Sequence, residues 1–241
     1  MDLAQLRNRG YTVVPGVVEP PVIARLLAAL RDVGGIDVED PATWPGKRTQ
    51  VPMGGHQAQW DVRQHPGVHA VFAEVYGDER LAVSQDRLGV KLPGEGPLGI
   101  HLDEDPDTGP RVYGGLVYLT DAPAERGAFC CVPSLRGTRE GFGSPPDLDG
   151  HEIVPVPGRA GDLVLWDIRL QHGNMANRDR SPRVVQYVSM FPHGAWRDTP
   201  EDHQRLWREG RDWQDEKGPP DHEPAELTAL GRRLVGLDPY G

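Results

Sequence analysis

The chain has 241 residues, and 36 acidic against 26 basic side chains give it a formal net charge of −10. This length favours a single domain over residues 1–241, and the acidic balance argues against a nucleic-acid partner because the phosphate backbone would be repelled. No apolar run approaches the roughly 18 residues of a membrane span, and no signal-peptide pattern is visible. The adjacent cysteines, Cys130 and Cys131, would point to opposite faces of a strand. We therefore expect free thiols in a cytoplasmic protein.

The N-terminal part is predicted to contain one short strand and two helices. Residues 10–18 are rich in valine and favour a strand. From Glu19 to Gly35, prolines in the first turn, an apolar face and a closing glycine pair predict a helix. Residues 36–60 have no hydrophobic period and contain several prolines, so we expect a loop that covers a site. A second helix is predicted over residues 66–77.

Beyond residue 80 the pattern changes to short strands separated by turn residues. The 30 glycines and 24 prolines favour many turns over a helical bundle. The predicted strands cover residues 81–92, 112–120, 128–132, 152–156, 163–168 and 183–191. Two helices followed by six or more strands predict a mostly β fold, a double-stranded β-helix (a cupin-like jelly roll) with the N-terminal helices outside. Its core is expected over about 80–192, and a polar, partly helical tail over about 197–241.

Two histidines and one aspartate carry the clearest chemical signal. His101 and Asp103 are two residues apart, so on a strand their side chains would face the same side. His172 comes much later, just past the apolar run 163–166. Two imidazoles and one carboxylate are the ligand set that binds one face of a non-haem Fe(II) ion and leaves the other face open. Taken singly, these residues could have structural roles instead of binding a metal. Asp103 opens an acidic run that suits a solvated turn, and His172 would suit a hydrogen-bonded core position.

Arg183 is a further candidate for the same site. It opens the apolar run 183–191, which is predicted to be a strand. In an antiparallel hairpin connected through residues 173–182, its guanidinium would lie close to His172. An arginine there can bind a dicarboxylate such as 2-oxoglutarate in a two-pronged contact. Arg183 alone would equally suit a pair with any carboxylate, but together with the metal ligands it indicates an oxygenase.

Several longer segments resemble the phytanoyl-CoA dioxygenase family of Fe(II)/2-oxoglutarate oxygenases, over about residues 8–192. The segments that carry the resemblance are Gly10–Val17, Leu119–Pro123, Gly127–Ser134, Gly161–Asp167 and Asn177–Arg183. Two positions depart from the family's pattern. Val117 stands where many members carry tryptophan or a similar group, and Val185 stands where many carry serine or threonine.

The resemblance implies a double-stranded β-helix whose catalytic iron is bound by His101, Asp103 and His172, with Arg183 on the distal carboxylate of 2-oxoglutarate. It implies Fe(II), 2-oxoglutarate and O₂ as cofactor and co-substrates. The expected reaction is hydroxylation, or another oxidation, of an unactivated C–H bond in a small, polar metabolite, with release of succinate and CO₂. Halogenation is disfavoured, because related halogenases replace the aspartate ligand by a small residue to admit chloride.

The substrate-binding residues are less sharply indicated. In family members the segment 84–91 approaches the site, and here it is unusually polar. Its polar residues are Ser84, Gln85, Asp86, Arg87 and Lys91. They suggest a polar or anionic small molecule, with a solvated edge strand as the alternative. Trp60, in a predicted lid over residues 57–63, is a further candidate to contact the substrate, with plain packing as the alternative. His193 is another candidate.

Two amide side chains could support the ligand histidines. Asn174 and Gln186 are candidates to fix the ligand imidazoles, with an ordinary structural role as the alternative.

A cupin-like metal-dependent isomerase or binding protein would use the same metal ligands but would have little reason to carry Arg183. Desaturation, epimerisation or cyclisation would use the same site as hydroxylation. We expect a small-molecule partner, no nucleic acid, no membrane, and a monomer or homodimer.

Overall fold

The computed structural model describes residues 1–46, 49–51, 53, 55–109, 111–195, 199–212 and 222–240. The helices are α1 (Leu3–Arg9), α2 (Pro20–Asp32), α3 (Gln57–Arg63), α4 (Pro66–Tyr76), α5 (Pro200–Glu209) and α6 (Ala229–Leu234). The strands are β1 (Tyr11–Val14), β2 (Thr49–Val51), β3 (Leu81–Val83), β4 (Leu88–Lys91), β5 (Leu98–His101), β6 (Tyr113–Tyr118), β7 (Phe129–Cys131), β8 (Val154–Val156), β9 (Leu163–Asp167), β10 (His172–Asn174), β11 (Arg183–Tyr187) and β12 (Met190–Pro192).

The strands form two main sheets between which the chain crosses repeatedly. One sheet has the order β1-β9-β6-β11-β4-β2, the other has the order β5-β10-β7-β8, and β3 pairs with β12 separately. Every strand pairing in the described residues is antiparallel. Repeated crossing between two antiparallel sheets is the winding of a jelly roll. The predicted mostly β jelly roll with helices outside it is confirmed.

Alternate residues of the central strands contribute to two different cores. On β9, Val164 and Trp166 pack in one cluster with Phe129 of the four-stranded sheet. Leu163 and Leu165 pack instead in the core beneath α2, α3 and α4. This two-residue period is that of a strand buried on both faces. It defines an inner space between the two sheets, where side chains from both sheets meet.

The two predicted helices are present nearly as expected. α2 begins at its proline pair and buries Ile23, Leu26 and Leu30 on one face. α4 ends at Gly77, whose φ of 66° lies in the left-handed region that favours glycine. The sequence analysis does not predict α1, although the Asp2 side chain accepts a hydrogen bond from the Gln5 backbone N–H as an N-cap.

Three predicted segments differ from the structure. Residues 36–60, expected as a loop, contain β2 and the first turn of α3. Residues 81–92, expected as one strand, form β3 and β4 in different sheets, joined by the irregular residues 84–87. Residues 183–191 likewise divide into β11 and β12.

The C-terminal tail is partly helical, as predicted, through α5 and α6. α5 begins with a reciprocal capping box between Thr199 and Asp202. Residues 197–198, 213–221 and 241 of the predicted tail lie outside the described residues. Among the described helices, none combines the length and the apolar character needed to cross a bilayer.

Candidate metal centre

The structure brings the three predicted metal ligands together in the inner space. The Nε2 atom of His101 lies 3.4 Å from Oδ1 of Asp103, and Nε2 of His172 lies 3.3 Å from Oδ2. One ligand atom from each residue lies within 4.8 Å of the other two. Atoms about 2.1 Å from a common ion lie roughly 3 Å apart at right-angle coordination, so this spacing fits one metal ion.

Two neighbouring strands of the four-stranded sheet position these ligands. His172 opens β10 and lies directly opposite His101, the last residue of β5, in antiparallel register. Asp103 lies two residues beyond the end of β5, and its side chain remains 52% exposed. β10 pairs with β5 and β7, whereas Arg183 opens β11 in the other sheet. The predicted hairpin between His172 and Arg183 is therefore wrong, because the chain crosses from one sheet to the other between them.

Both histidines are oriented by backbone carbonyls. The Nδ1 atom of His101 lies 2.9 Å from the Gly99 carbonyl oxygen, and Nδ1 of His172 lies 2.9 Å from that of Leu170. A carbonyl can only accept, so each Nδ1 carries a proton, and the Nε2 atoms are the ring nitrogens left for Asp103 or for a metal. This is the tautomer that binds a metal through Nε2.

The Asp103 carboxylate is held in its ionised form. Burial by itself would raise the pKa of this carboxyl, but the hydrogen bonds to His101 and His172 outweigh it and hold the pKa well below its usual range. An ionised carboxylate beside two imidazoles is the donor set that suits a divalent iron ion.

Two aromatic rings pack around His172. Phe129 lies nearly parallel to the imidazole, at 19° with 5.5 Å between ring centroids, and the Trp166 ring centroid is 5.2 Å away. Trp166 pairs across the sheet with Gly114, where an added Cβ would come within 2.5 Å of the indole. The absence of a side chain at Gly114 therefore lets the indole lie against the histidine.

Arg183 is buried on the inner face of the six-stranded sheet. It is 2% exposed, and its Nε donates to the Gly127 carbonyl oxygen at 3.1 Å. Its Nη1 is also buried and has no hydrogen-bond acceptor among the described residues. A buried, unsatisfied guanidinium donor is costly, so an anionic ligand fits this position.

A cavity of about 490 Å³ opens from the metal ligands. His101, Asp103 and His172 line one wall, and further walls come from the segment 84–86 and from α5. Two acidic residues besides Asp103, namely Asp86 and Glu104, are part of its lining, together with residues that carry hydroxyl, amide and aromatic groups. The described lining includes no lysine or arginine.

The predicted substrate residues do not line this cavity. Trp60 is fully buried in the core beneath the helices. Arg87 forms an ion pair with Asp212, and Lys91 is buried with its ammonium on the Gly96 carbonyl oxygen. His193 is exposed and its ring contacts the ring of Tyr240. The neighbouring Ser84, Gln85 and Asp86, which share the polar pattern of the same segment, do line the cavity.

The two amides predicted to orient the imidazoles have other surroundings. Asn174 is buried, lines the cavity and has no partner for its Oδ1 among the described residues. Gln186 donates to the Gln59 carbonyl oxygen of α3, so it lies on the helix side of its sheet. Neither holds a ligand imidazole, because backbone carbonyls do so.

Sequence reasoning missed the contribution of the tail to the cavity. His203 and Leu206 of α5 both line it, and the Gln85 side chain donates to the His203 carbonyl oxygen at 2.7 Å. No local sequence pattern indicates that α5 reaches the cavity. The helix follows β11 and β12 in the chain, so its contact with the site is a long-range one. The burial of His203 and Leu206 follows from long-range packing, which the sequence of the tail does not display.

The fold and the site together define a class of protein. A jelly roll with two histidines and one carboxylate gathered between its sheets is the arrangement of the non-haem iron oxygenases. The sequence model of the family described as "Phytanoyl-CoA dioxygenase (PhyH)" matches residues 6–185. The chain belongs to that family.

Similar proteins agree with this assignment. "Ava biosynthesis cluster protein O" of Aspergillus versicolor is 23% identical over 199 residues, and the match covers 66% of this chain and 65% of that protein. The epimerase SnoN, solved with Fe³⁺, alpha ketoglutarate and nogalamycin RO, is 24% identical with a TM-score of 0.65 and 93% of each chain covered. HygX from Streptomyces hygroscopicus, solved with nickel and 2-oxoglutarate, is 18% identical with a TM-score of 0.64, covering 81% of this chain and 88% of that one. At these identities the solved structures establish a shared fold.

Proposed function

We propose that the chain is a 2-oxoglutarate-dependent iron oxygenase that hydroxylates a small, polar substrate, with His101, Asp103 and His172 as iron ligands. The observation that carries this proposal is the convergence of their ligand atoms within 4.8 Å at the wall of the cavity. Membership of the phytanoyl-CoA dioxygenase family supports it. Bound there, Fe(II) would supply the chemistry of oxygen activation, with 2-oxoglutarate and O₂ as co-substrates.

The chain's own residues have separate tasks in this proposal. The Gly99 and Leu170 carbonyls fix the histidine tautomers, so that both Nε2 atoms are available as ligands. Phe129 and Trp166 form an apolar wall at His172 and exclude water from that side. Arg183 binds the distal carboxylate of 2-oxoglutarate through the guanidinium edge that includes Nη1.

The cavity lining favours a substrate rich in hydroxyl or amino groups. Asp86 and Glu104 are hydrogen-bond acceptors, and the described lining offers no cation for an anionic substrate. An acyl-CoA thioester, with its several phosphates, is therefore a poor fit electrostatically. Arg87 and Lys91, on which the expectation of an anionic substrate rests, make contacts outside the cavity lining. We accordingly favour a neutral or cationic small molecule.

The first experiment is anaerobic addition of Fe(II) and 2-oxoglutarate to the metal-free protein. We expect the weak visible charge-transfer band of a chelated 2-oxo acid in the wild type, and its loss in His172→Ala. His151→Ala is the matched control, because His151 hydrogen-bonds Ser134 away from the metal ligands and should leave the band unchanged. Bound iron without a band would contradict the proposal and favour a metal-dependent isomerase or binding protein.

The reaction type requires a second experiment. Hydroxylated and aminated small molecules are screened by succinate release, and the product of each active compound is weighed by mass spectrometry. A gain of one oxygen atom supports hydroxylation. Succinate release with an unchanged product mass would indicate epimerisation, and loss of two hydrogens would indicate desaturation or cyclisation.

A further inference from the structure

A short loop over residues 138–141 contacts both segments that carry the metal ligands. On one side it is bound by Gln171, the residue directly before the distal histidine ligand. On the other side the Gly141 carbonyl oxygen accepts a 3.0 Å hydrogen bond from the backbone N–H of Leu102, the residue between the other two ligands. We call residues 138–141 the bridging loop, because they connect the two halves of the metal centre.

Gln171 anchors the bridging loop beside His172. Its side chain is fully buried, and its amide nitrogen donates to the Glu140 carbonyl oxygen at 2.8 Å and to the Thr138 carbonyl oxygen at 3.1 Å. The Thr138 hydroxyl oxygen lies 3.2 Å from the same nitrogen. Neighbouring side chains of an extended chain point to opposite sides, so Gln171 reaches the loop while His172 faces the cavity. A buried amide with backbone acceptors holds a loop in one position, because leaving those groups unpaired is costly.

Asp103 is the metal ligand that needs such support. It lies beyond the end of β5, and 52% of its side chain is exposed. The hydrogen bond from Leu102 to Gly141 fixes the backbone directly before it. Two residues after it, the Asp105 carboxylate accepts from Arg139 of the bridging loop at 2.7 Å. The same loop therefore holds Asp103 from both sides.

The bridging loop also packs directly against the end of the ligand strand. Gly141 has a φ of +87°, and a Cβ added to it would come within 3.3 Å of the His101 Cα atom. Both the left-handed backbone and the close approach favour glycine at this position. A displacement of the loop would therefore be transmitted to the backbone between His101 and Asp103.

We propose that Gln171 is a positioning residue of the metal centre, which acts through the bridging loop to hold Asp103 against the two histidines. Strand pairing places His101 opposite His172, whereas Asp103 lies outside the strands. Residues that orient metal ligands without binding the metal typically change metal affinity by about 10–100-fold when they are replaced. This inference rests on the proposed function, because it assumes that these three ligands bind one divalent metal ion.

The first test measures binding of Co(II), an oxygen-stable substitute for Fe(II), to the metal-free wild type and to Gln171→Met. Methionine has a similar size to glutamine but cannot donate to the loop. We expect Gln171→Met to weaken Co(II) binding about tenfold or more. The visible absorption of the bound Co(II) should also change towards that of Asp103→Ala, because the carboxylate no longer reaches the ion in its native position.

A double-variant cycle separates positioning of Asp103 from a general effect on the protein. It uses Cu(II), whose higher affinity for nitrogen and oxygen ligands keeps binding by the two histidines measurable without Asp103. Gln171→Met should weaken Cu(II) binding about tenfold when Asp103 is present. In the Asp103→Ala background it should change Cu(II) binding by less than about twofold.

Gln186→Met is the matched control. Gln186 is also fully buried and donates its amide to a backbone carbonyl oxygen, but it lies in the other sheet. We expect this variant to leave Co(II) affinity unchanged. If Gln171→Met does not fold, Arg139→Met tests the same loop, because the Arg139 side chain is 56% exposed. It should weaken Co(II) binding about two- to fivefold, and unchanged affinity would overturn the role of the loop.

The outcomes distinguish this inference from the function on which it rests. A wild type that binds no Co(II), or whose binding survives His172→Ala, overturns the metal centre and with it the proposed function. Normal wild-type binding with unchanged affinity in Gln171→Met overturns the role of Gln171 alone. Equal weakening with and without Asp103 also overturns that role, because the glutamine would then act on the whole site and not through the carboxylate.

Discussion

His172 and His101 face each other across two adjacent antiparallel strands, with their ring centroids 4.8 Å apart. The register of β10 against β5 therefore fixes the separation of the two imidazoles before any metal is bound. Asp103 contacts both Nε2 atoms and completes the cluster from just beyond β5. A site assembled by sheet register is preorganised, so binding a metal requires little rearrangement of the backbone.

Metal binding should stabilise the folded protein through these residues. A ligand that binds only the folded state at 100 times its dissociation constant adds about 2.7 kcal/mol of stability. We expect Co(II), used as an oxygen-stable substitute for Fe(II), to raise the melting temperature of the wild type, and a chelator to reverse the rise. His172→Ala should abolish the shift, whereas His151→Ala should keep it; an equal shift in both variants would place the bound metal elsewhere.

Replacing Gly127 should disturb Arg183 and Lys91 together. Its φ is +73°, and an added Cβ would collide with Lys91. We expect Gly127→Ala to lower the free energy of unfolding by about 2–4 kcal/mol, since left-handed backbone costs about 1 kcal/mol and overpacking adds about 1–3 kcal/mol. Chemical denaturation measures this change.

Gly143 supplies a matched control for that substitution. It has the same φ of +73°, but an added Cβ would meet nothing within 4 Å. Gly143→Ala should therefore lose only the backbone contribution of about 1 kcal/mol. Equal losses at the two glycines would show that the side-chain space at Gly127 is unimportant.

Replacing Gly114 tests the aromatic support of His172. A Cβ at Gly114 would lie 2.5 Å from two ring atoms of Trp166, so the indole must move. We expect Gly114→Ala to cost about 1–3 kcal/mol in unfolding free energy and to weaken Co(II) binding. Gly46→Ala, where an added Cβ meets nothing within 4 Å, should do neither. Unaltered Co(II) affinity in Gly114→Ala would mean that the indole does not support the histidine.

Local sequence patterns predicted the parts of the site that lie within one element. The two-residue spacing of His101 and Asp103 correctly placed both on one side, and the apolar spacing of α4 predicted its bounds to within a residue. Those features depend on strand and helix geometry alone.

The parts that depend on long-range pairing could not be predicted. β10 has only three residues, His172 to Asn174, and so short a strand carries no alternation to reveal which sheet it joins. Trp60 was expected either in a lid against the substrate or as plain packing, and α3 buries it with Val62, which is the packing alternative. Seven residues are too few to display a helical period.

Asp167 should make the stability of the protein depend on pH. It closes β9 and accepts hydrogen bonds from Arg136 and Arg169 at 2.7 Å. Burial alone would raise the pKa of this carboxyl, but the two guanidinium groups, led by Arg169, hold the pKa below its usual value. The folded protein thus binds this proton more weakly than the unfolded chain does. The stabilisation is fully present above the unfolded-state pKa of about 4 and is lost as the pH falls towards the lower folded-state pKa.

We therefore expect Asp167→Asn to reduce the free energy of unfolding at pH 7. The difference in this free energy between the wild type and the variant should be smaller at the lowest pH where both fold than at pH 7. Urea denaturation across that range measures the difference. Asp238→Asn is the control: Asp238 pairs with Arg232, but both side chains are more than a third exposed and the pair is screened by water, so its loss should leave the free energy of unfolding nearly unchanged. A constant difference between Asp167→Asn and the wild type at every pH would mean that the carboxylate contributes through packing, because the contribution of its charge must disappear on protonation.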